Sequence, residues 1–213
     1  MFALTIAEYT AVFVFGLSGA MVASRAQLDV VGFLFLACLT GVGGGTFRDL
    51  VLGQTSVFWV QAPSNLFAAS AAGLLGFLIA PMIESRYKWL MWSDAAALSV
   101  AVPLGVFVAL QATASWPIAL LMGVATGTFG GLMRDVIANE IPLVLVKGEM
   151  HISAAFGGAC TVPLVLWLSG SEALAFAIAA LGTFTLRWGS ITLGWRIPNH
   201  KTREPKHKPP AGR

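Results

Sequence analysis

The chain has 213 residues, of which 57% are hydrophobic and only 11% charged, with a formal net charge of +3. A mean hydropathy of +0.79 and roughly half the charge of an average soluble domain exclude a water-soluble globular protein. The composition is that of an integral membrane protein.

Apolar stretches of about the 20 residues needed to cross a bilayer lie, in chain order, at residues 5–24, 29–47, 65–83, 94–112, 117–138, 152–169 and 172–188. No basic residue precedes the first stretch, so it reads as a retained span and not a signal peptide. Cys38 and Cys160 fall mid-span, where a thiol behaves as a small hydrophobe. The tryptophans, among them Trp59, Trp89, Trp116 and Trp167, sit mostly near span ends, as rings favouring the headgroup zone should.

The connection before the sixth span holds Lys147, Glu149 and His151 and reads as a solvated loop. The tail after Trp195 carries Arg196, Lys201, Arg203, Lys206, Lys208 and Arg213 among prolines. It reads as a disordered orientation signal in contact with anionic membrane lipid, not as a nucleic-acid arm. A cytoplasmic tail and seven spans put the N-terminus outside; Arg25, Arg86, Lys88 and Lys147 then face inward.

The chain contains itself twice. Gly43-Gly44-Gly45-Thr46-Phe47-Arg48-Asp49 is answered by Phe129-Gly130-Gly131-Leu132-Met133-Arg134-Asp135, an offset of 86 residues. The same ungapped offset pairs Gly19 with Gly105, Val22 with Val108, Thr40 with Thr126 and Gly41 with Gly127. Each copy holds three spans, and an odd number inverts the second copy. The expected fold is therefore all-α: seven transmembrane helices in two inverted three-helix repeats plus a seventh helix. The divisions are residues 1–86, 87–170, 171–195 for the seventh helix, and 196–213 for the basic cytoplasmic tail.

Three glycines in a row lower the cost of non-helical backbone, so the second and fifth spans are expected to bend or open there. Freed carbonyls would then need a water-filled cavity or a dehydrating cation. The candidate pore and hinge residues are Gly43, Gly44, Gly45 and Thr46 in the first copy and Gly127, Thr128, Gly130 and Gly131 in the second. Thr40 and Thr126 are further sources of hydroxyl ligands. The spacing of Gly41 with Gly45 and of Gly127 with Gly131 is equally that of a helix-packing face. Glycine spacing alone does not choose between the two.

Charge at repeated depth is the stronger signal, because ionisable groups in a membrane are expensive. Arg48 and Asp49 are neighbours, point different ways on a helix, and are expected to need other partners, as are Arg134 and Asp135. Glu8 and Asp94 are also 86 residues apart, which predicts the pairs Glu8 with Arg48 and Asp94 with Arg134. Asp49 and Asp135 would then be freer to act at the two mouths, attracting cations or accepting structural hydrogen bonds. Alternatively, these charges merely snorkel to the headgroups and cap the helix ends. Asn139 and Lys147 are weaker candidates for an inner mouth.

With the elements Gly43 to Gly53, Val57-Phe58-Trp59-Val60 and Gly130-Gly131-Leu132-Met133-Arg134-Asp135 in a three-plus-three-plus-one arrangement, the chain closely resembles the trimeric intracellular cation channel (TRIC) family in its prokaryotic branch. That resemblance implies a homotrimer, a pathway inside each protomer lined by bent second and fifth spans, and potassium as the main, transiently bound ion. The bacterial group also carries a glycine-transporter label. The Lys-Glu-Val motif of animal members is absent; the region here reads Ala101-Val102-Pro103-Leu104-Gly105.

The leading expectation is a passive potassium channel in the inner membrane, and the alternative a secondary transporter of a small amino acid such as glycine. An enzyme is not expected, since there is no His-Glu-x-x-His, no Walker ending and no metal-ligand spacing. Neither a cofactor nor a resident metal is expected.

Overall fold

A computed structural model describes residues 2–83, 85–113, 115–146 and 149–197. Lys147 and most of the basic tail lie outside the described residues. Among the described residues, seven helices are long and apolar enough to span a membrane: α1 (Phe2–Arg25), α2 (Val30–Val51), α4 (Ser64–Ile79), α5 (Arg86–Thr113), α6 (Trp116–Ile137), α7 (His151–Ser169) and α8 (Glu172–Leu193). A short helix α3 (Phe58–Gln61) precedes α4, and a 3-10 turn (Leu143–Leu145) occupies the matching place before α7.

Local sequence sets the ends of these helices. Asp29 caps α2 by accepting the Gly32 N–H at 2.8 Å, and Ser171 caps α8 through the Leu174 N–H at 3.3 Å. After α2 the chain stops on Gly53 at φ +65°, and after α6 on Asn139 at φ +55°. These are equivalent positions, 86 residues apart. In both, the third residue beyond the helix returns its N–H to an aspartate carbonyl: Gln54 to Asp49 at 3.0 Å and Glu140 to Asp135 at 2.8 Å. This left-handed stop satisfies the last carbonyls of each helix. Asn139 is thus an exposed stop residue.

The fold contains two inverted three-helix repeats, α1-α2-α4 and α5-α6-α7, with α8 packed on α5 and α7. The contacts state the inversion directly. A Cβ on Gly44 would collide with the Thr126 carbonyl, and one on Gly130 would collide with the Thr40 carbonyl. Since Gly44 corresponds to Gly130 and Thr40 to Thr126, the two contacts exchange under one twofold rotation. Ala7, Ala11 and Phe15 of α1 pack with Ala97, Ala101 and Leu104 of α5 in the same central layer. Lipid tails are as apolar as these side chains, so close approach of small residues holds the bundle.

The expected interruption at the glycines does not occur. Both α2 and α6 are continuous helices through their glycine clusters. The glycines instead remove side chains where α2 and α6 meet backbone to backbone, so their intrahelical carbonyls are never freed. Beside this crossing Phe47 and Phe129 stack with centroids 3.8 Å apart. Small side chains here admit close packing, which is the other reading of the glycine spacing.

Candidate functional site

Each Arg-Asp pair stands in the last turns of its helix, and in each the two neighbours bind one another. Arg48 Nε donates to Asp49 Oδ1 at 2.8 Å, with a second guanidinium nitrogen 2.7 Å away. Arg134 Nε donates to Asp135 Oδ1 at 2.7 Å. The expectation that adjacent residues cannot satisfy each other is therefore overturned. It considered only Cβ directions, whereas the long arginine chain curls sideways around the helix to reach its neighbour.

The second oxygen of each aspartate accepts a structural hydrogen bond, one of the two roles expected of it. Asp49 Oδ2 accepts the Phe58 N–H at 2.8 Å, and Asp135 Oδ2 accepts the Leu143 N–H at 2.9 Å. Each carboxylate ties its arginine to the start of the returning segment. Both are nearly fully buried.

The acid partners expected from the repeat are in place. Glu8 Oε1 is 4.0 Å from Arg48, and Asp94 Oδ1 accepts from Arg134 at 3.2 Å. Arg134 also donates to Ser18 Oγ at 2.8 Å. Sequence reasoning missed two participants at this end. His151, read as part of a solvated loop, is buried with Nδ1 3.5 Å from Asp94 Oδ2. Arg187 of α8 is fully buried and holds Glu149 at 3.2 Å. A signal for His151 existed: its equivalent in the first copy, Asn65, is also a polar residue at a helix start.

The two ends differ in openness. A cavity of about 720 Å³ lies at the Arg48 end, walled by Glu8, Arg48 and Asp49 with Gln54, Ser56 and Gln111. A second cavity of about 20 Å³, room for one water, continues inward and shares Glu8, Arg48, Phe58 and Leu104 with the first. Its inner wall includes Gly41, Gly44, Gly45 and Thr126. The arginine and its neighbouring aspartate are buried at both ends; the difference lies in the second acid, where the Glu8 side chain is 23% exposed and that of Asp94, its counterpart at the Arg134 end, 1%.

Of the glycines and threonines singled out in the sequence, Gly44 and Gly45 line the small cavity. Gly43 faces Met133 and Gly130, Gly127 faces Leu98 and Val102, and Gly131 lies against Asp94 and Arg134. Thr46 donates to the Val42 carbonyl at 2.7 Å and accepts from Trp59 Nε1 at 2.9 Å. Thr128 donates to the Val124 carbonyl at 2.9 Å.

Comparison with known proteins agrees with this duplicated architecture. A family model described as glycine transporter matches twice, over residues 5–81 and 91–167. The UPF0126 membrane protein of Vibrio cholerae is 36% identical over 87% of this chain and 77% of its own length. The UPF0126 inner membrane protein YadS of Escherichia coli is 40% identical over 68% of this chain and 70% of its own. Among solved structures, the TRIC trimeric intracellular cation channel orthologue from Rhodobacter sphaeroides superposes with a TM-score of 0.87 at 38% identity, covering 91% of this chain and all of that one. A prokaryotic TRIC channel solved in 0.5 M KCl gives 0.84 at 26% identity, over 92% and 100% of the two chains. The chain therefore belongs to the glycine transporter (UPF0126) family and is a multi-pass membrane protein with the fold of the prokaryotic TRIC channels.

Proposed function

We propose that the protein is a passive channel for monovalent cations, potassium foremost, with a pathway beside α2 and α6 inside each protomer of a homotrimer. The observation that carries this reading is the charged cavity at the Arg48 end. There one arginine faces two carboxylates, Glu8 and Asp49, a formal local charge of −1. Asp49 takes the close contact with Arg48, so the excess charge belongs to Glu8, the more distant and more exposed carboxylate. A low-dielectric funnel with net negative charge concentrates cations at its floor. The floor, at Gly44 and Gly45, is the helix crossing, where a change in how α2 and α6 meet would open or close the path. The cation channels among the solved relatives support the same reading.

The remaining proposals follow the sequence. The N-terminus and the Arg48 cavity face outward, and the basic tail lies in the cytoplasm against anionic lipid. A membrane-impermeant maleimide should then label Ser56→Cys in intact cells; labelling only after lysis would reverse the orientation.

A second reading has its own observation. Arg48 and Glu8 stand 4.0 Å apart at the cavity wall, a spacing of opposite charges that suits the carboxylate and ammonium of a small amino acid, and the family model carries a glycine-transporter description. Reconstitution in planar bilayers separates the two. Discrete currents reversing at the potassium potential support the channel, whereas electrical silence with saturable, ion-coupled glycine uptake overturns it.

A further inference from the structure

Four charged or polar residues at the packed end have counterparts at the open end at one spacing of 86: Asp94 with Glu8, Arg134 with Arg48, Asp135 with Asp49, and His151 with Asn65. Three of the four pairs keep their charge. The fourth changes chemistry, from an amide that never titrates to an imidazole that titrates near neutrality.

His151 is placed where that change matters. Its Nδ1 lies 3.5 Å from Asp94 Oδ2, and neither atom has a hydrogen-bond partner among the described residues. The separation is a few tenths of an ångström beyond a hydrogen bond. Buried polar atoms left this way are costly unless something else completes them. With the neutral imidazole's hydrogen on Nε2, two acceptors face each other, and one proton on Nδ1 would turn them into a donor and an acceptor.

The charges around His151 come from every helix packed on it. Asp94 faces it from α5, Arg134 and Asp135 from α6, and Arg187 from α8 with Glu149 bound to it. Burial opposes a charged imidazole most strongly; among the neighbouring charges the carboxylates favour a proton on it and the two arginines oppose it. Formally, three carboxylates against two guanidinium groups leave −1 in a buried cluster, which a protonated His151 would neutralise.

We propose that His151 and Asp94 form a proton-binding site that unlocks the Arg134 end. A protonated imidazole competes with Arg134 for Asp94. The Arg134 contact to Asp94, at 3.2 Å, is longer than its contact to Asp135, at 2.7 Å, so Asp94 is the partner released. That contact joins α5 to α6, and its loss loosens the end of α6, leaving Arg134 tied to the central helix α1 through Ser18. Acid therefore opens the packed end. The opening step rests on the channel reading, whereas the proton site does not.

The full chain with isotope-labelled histidine, in lipid nanodiscs, tests the site by NMR from about pH 7.5 to about pH 3.5, a window covering the imidazole range and its extension downward for a buried ring. Potassium efflux from liposomes tests the opening. One imidazole signal, absent in His151→Asn, should titrate, and its titration should move in Asp94→Asn. Efflux should rise at least about threefold on acidification, a population change of ordinary size for a two-state element, and the rise should vanish in His151→Asn, the residue type the first copy carries. His151→Gln replaces that variant if it fails to fold. An imidazole that stays neutral throughout, or an acid response that survives both variants, overturns the proposal. Absence of efflux at every pH refutes the channel and the opening step together, while the titration still decides the proton site.

Discussion

Gly44 of α2 meets Thr126 of α6 with no side chain between them; the Thr126 carbonyl occupies the space a Cβ on Gly44 would need. A leucine there, and another at Gly130 where the Thr40 carbonyl stands, must push the two helices apart. Each overpacked position should cost about 1–3 kcal/mol, read as a lower unfolding temperature of the double variant Gly44→Leu with Gly130→Leu. Cation flux in the folded fraction should fall sharply. Unchanged flux in that fraction would remove the crossing from the conduction mechanism.

The two arginines should differ in their structural weight. Arg134→Met leaves Asp94 and Asp135 buried and without their cation, a situation that costs about 3–5 kcal/mol. Arg48→Met strands Asp49 and Glu8, but both border a cavity of about 720 Å³, where solvent can take over. Thermal unfolding in detergent should therefore show the larger loss for Arg134→Met. Equal losses would mean that the Arg48 end is no wetter than the other.

Asp49 holds the chain after α2 in place through the Phe58 N–H. Asp49→Ala removes that acceptor and the partner of Arg48 together, an estimated loss of about 1–3 kcal/mol for each buried group left unpaired. Hydrogen exchange should quicken across residues 52–62 and little elsewhere. A uniform increase over the bundle would contradict the local tether.

Glu8→Gln removes the excess negative charge of the cavity with little change in volume. Single-channel potassium conductance should drop severalfold at low salt and recover as ionic strength rises through about 1 M, where screening is nearly complete. The preference for potassium over chloride should fall with it. A salt-independent decrease would point to a blocked path and not to a lost field.

Much of the fold was legible because the repeat is written in residues that membranes rarely tolerate. Arg48-Asp49 and Arg134-Asp135 fixed the 86-residue register, and that register found Glu8 and Asp94 as partners. The glycines were harder. Their spacing fits both a break and a close crossing, and only the positions of the Thr40 and Thr126 carbonyls decide between them. The internal Arg-Asp contacts were missed because side-chain direction at Cβ says little about where a guanidinium four bonds further out will settle. Arg187 carried no signal, since the seventh helix lies outside the repeat and offers no second copy to compare. His151 was hidden by its place at a span start, although Asn65 marks the same position in the first copy.

The Gly44 and Thr126 contact, repeated as Gly130 and Thr40, is isologous: one surface patch meets its own inverted copy, as in a twofold dimer of identical chains. A residue on that patch is constrained from both sides at once, because altering it in one half disturbs the surface against which the other half fits. Away from the axis no such bond exists. There the two halves can differ, and there one carries an amide where the other carries an imidazole, giving the two ends of a self-matching body separate characters.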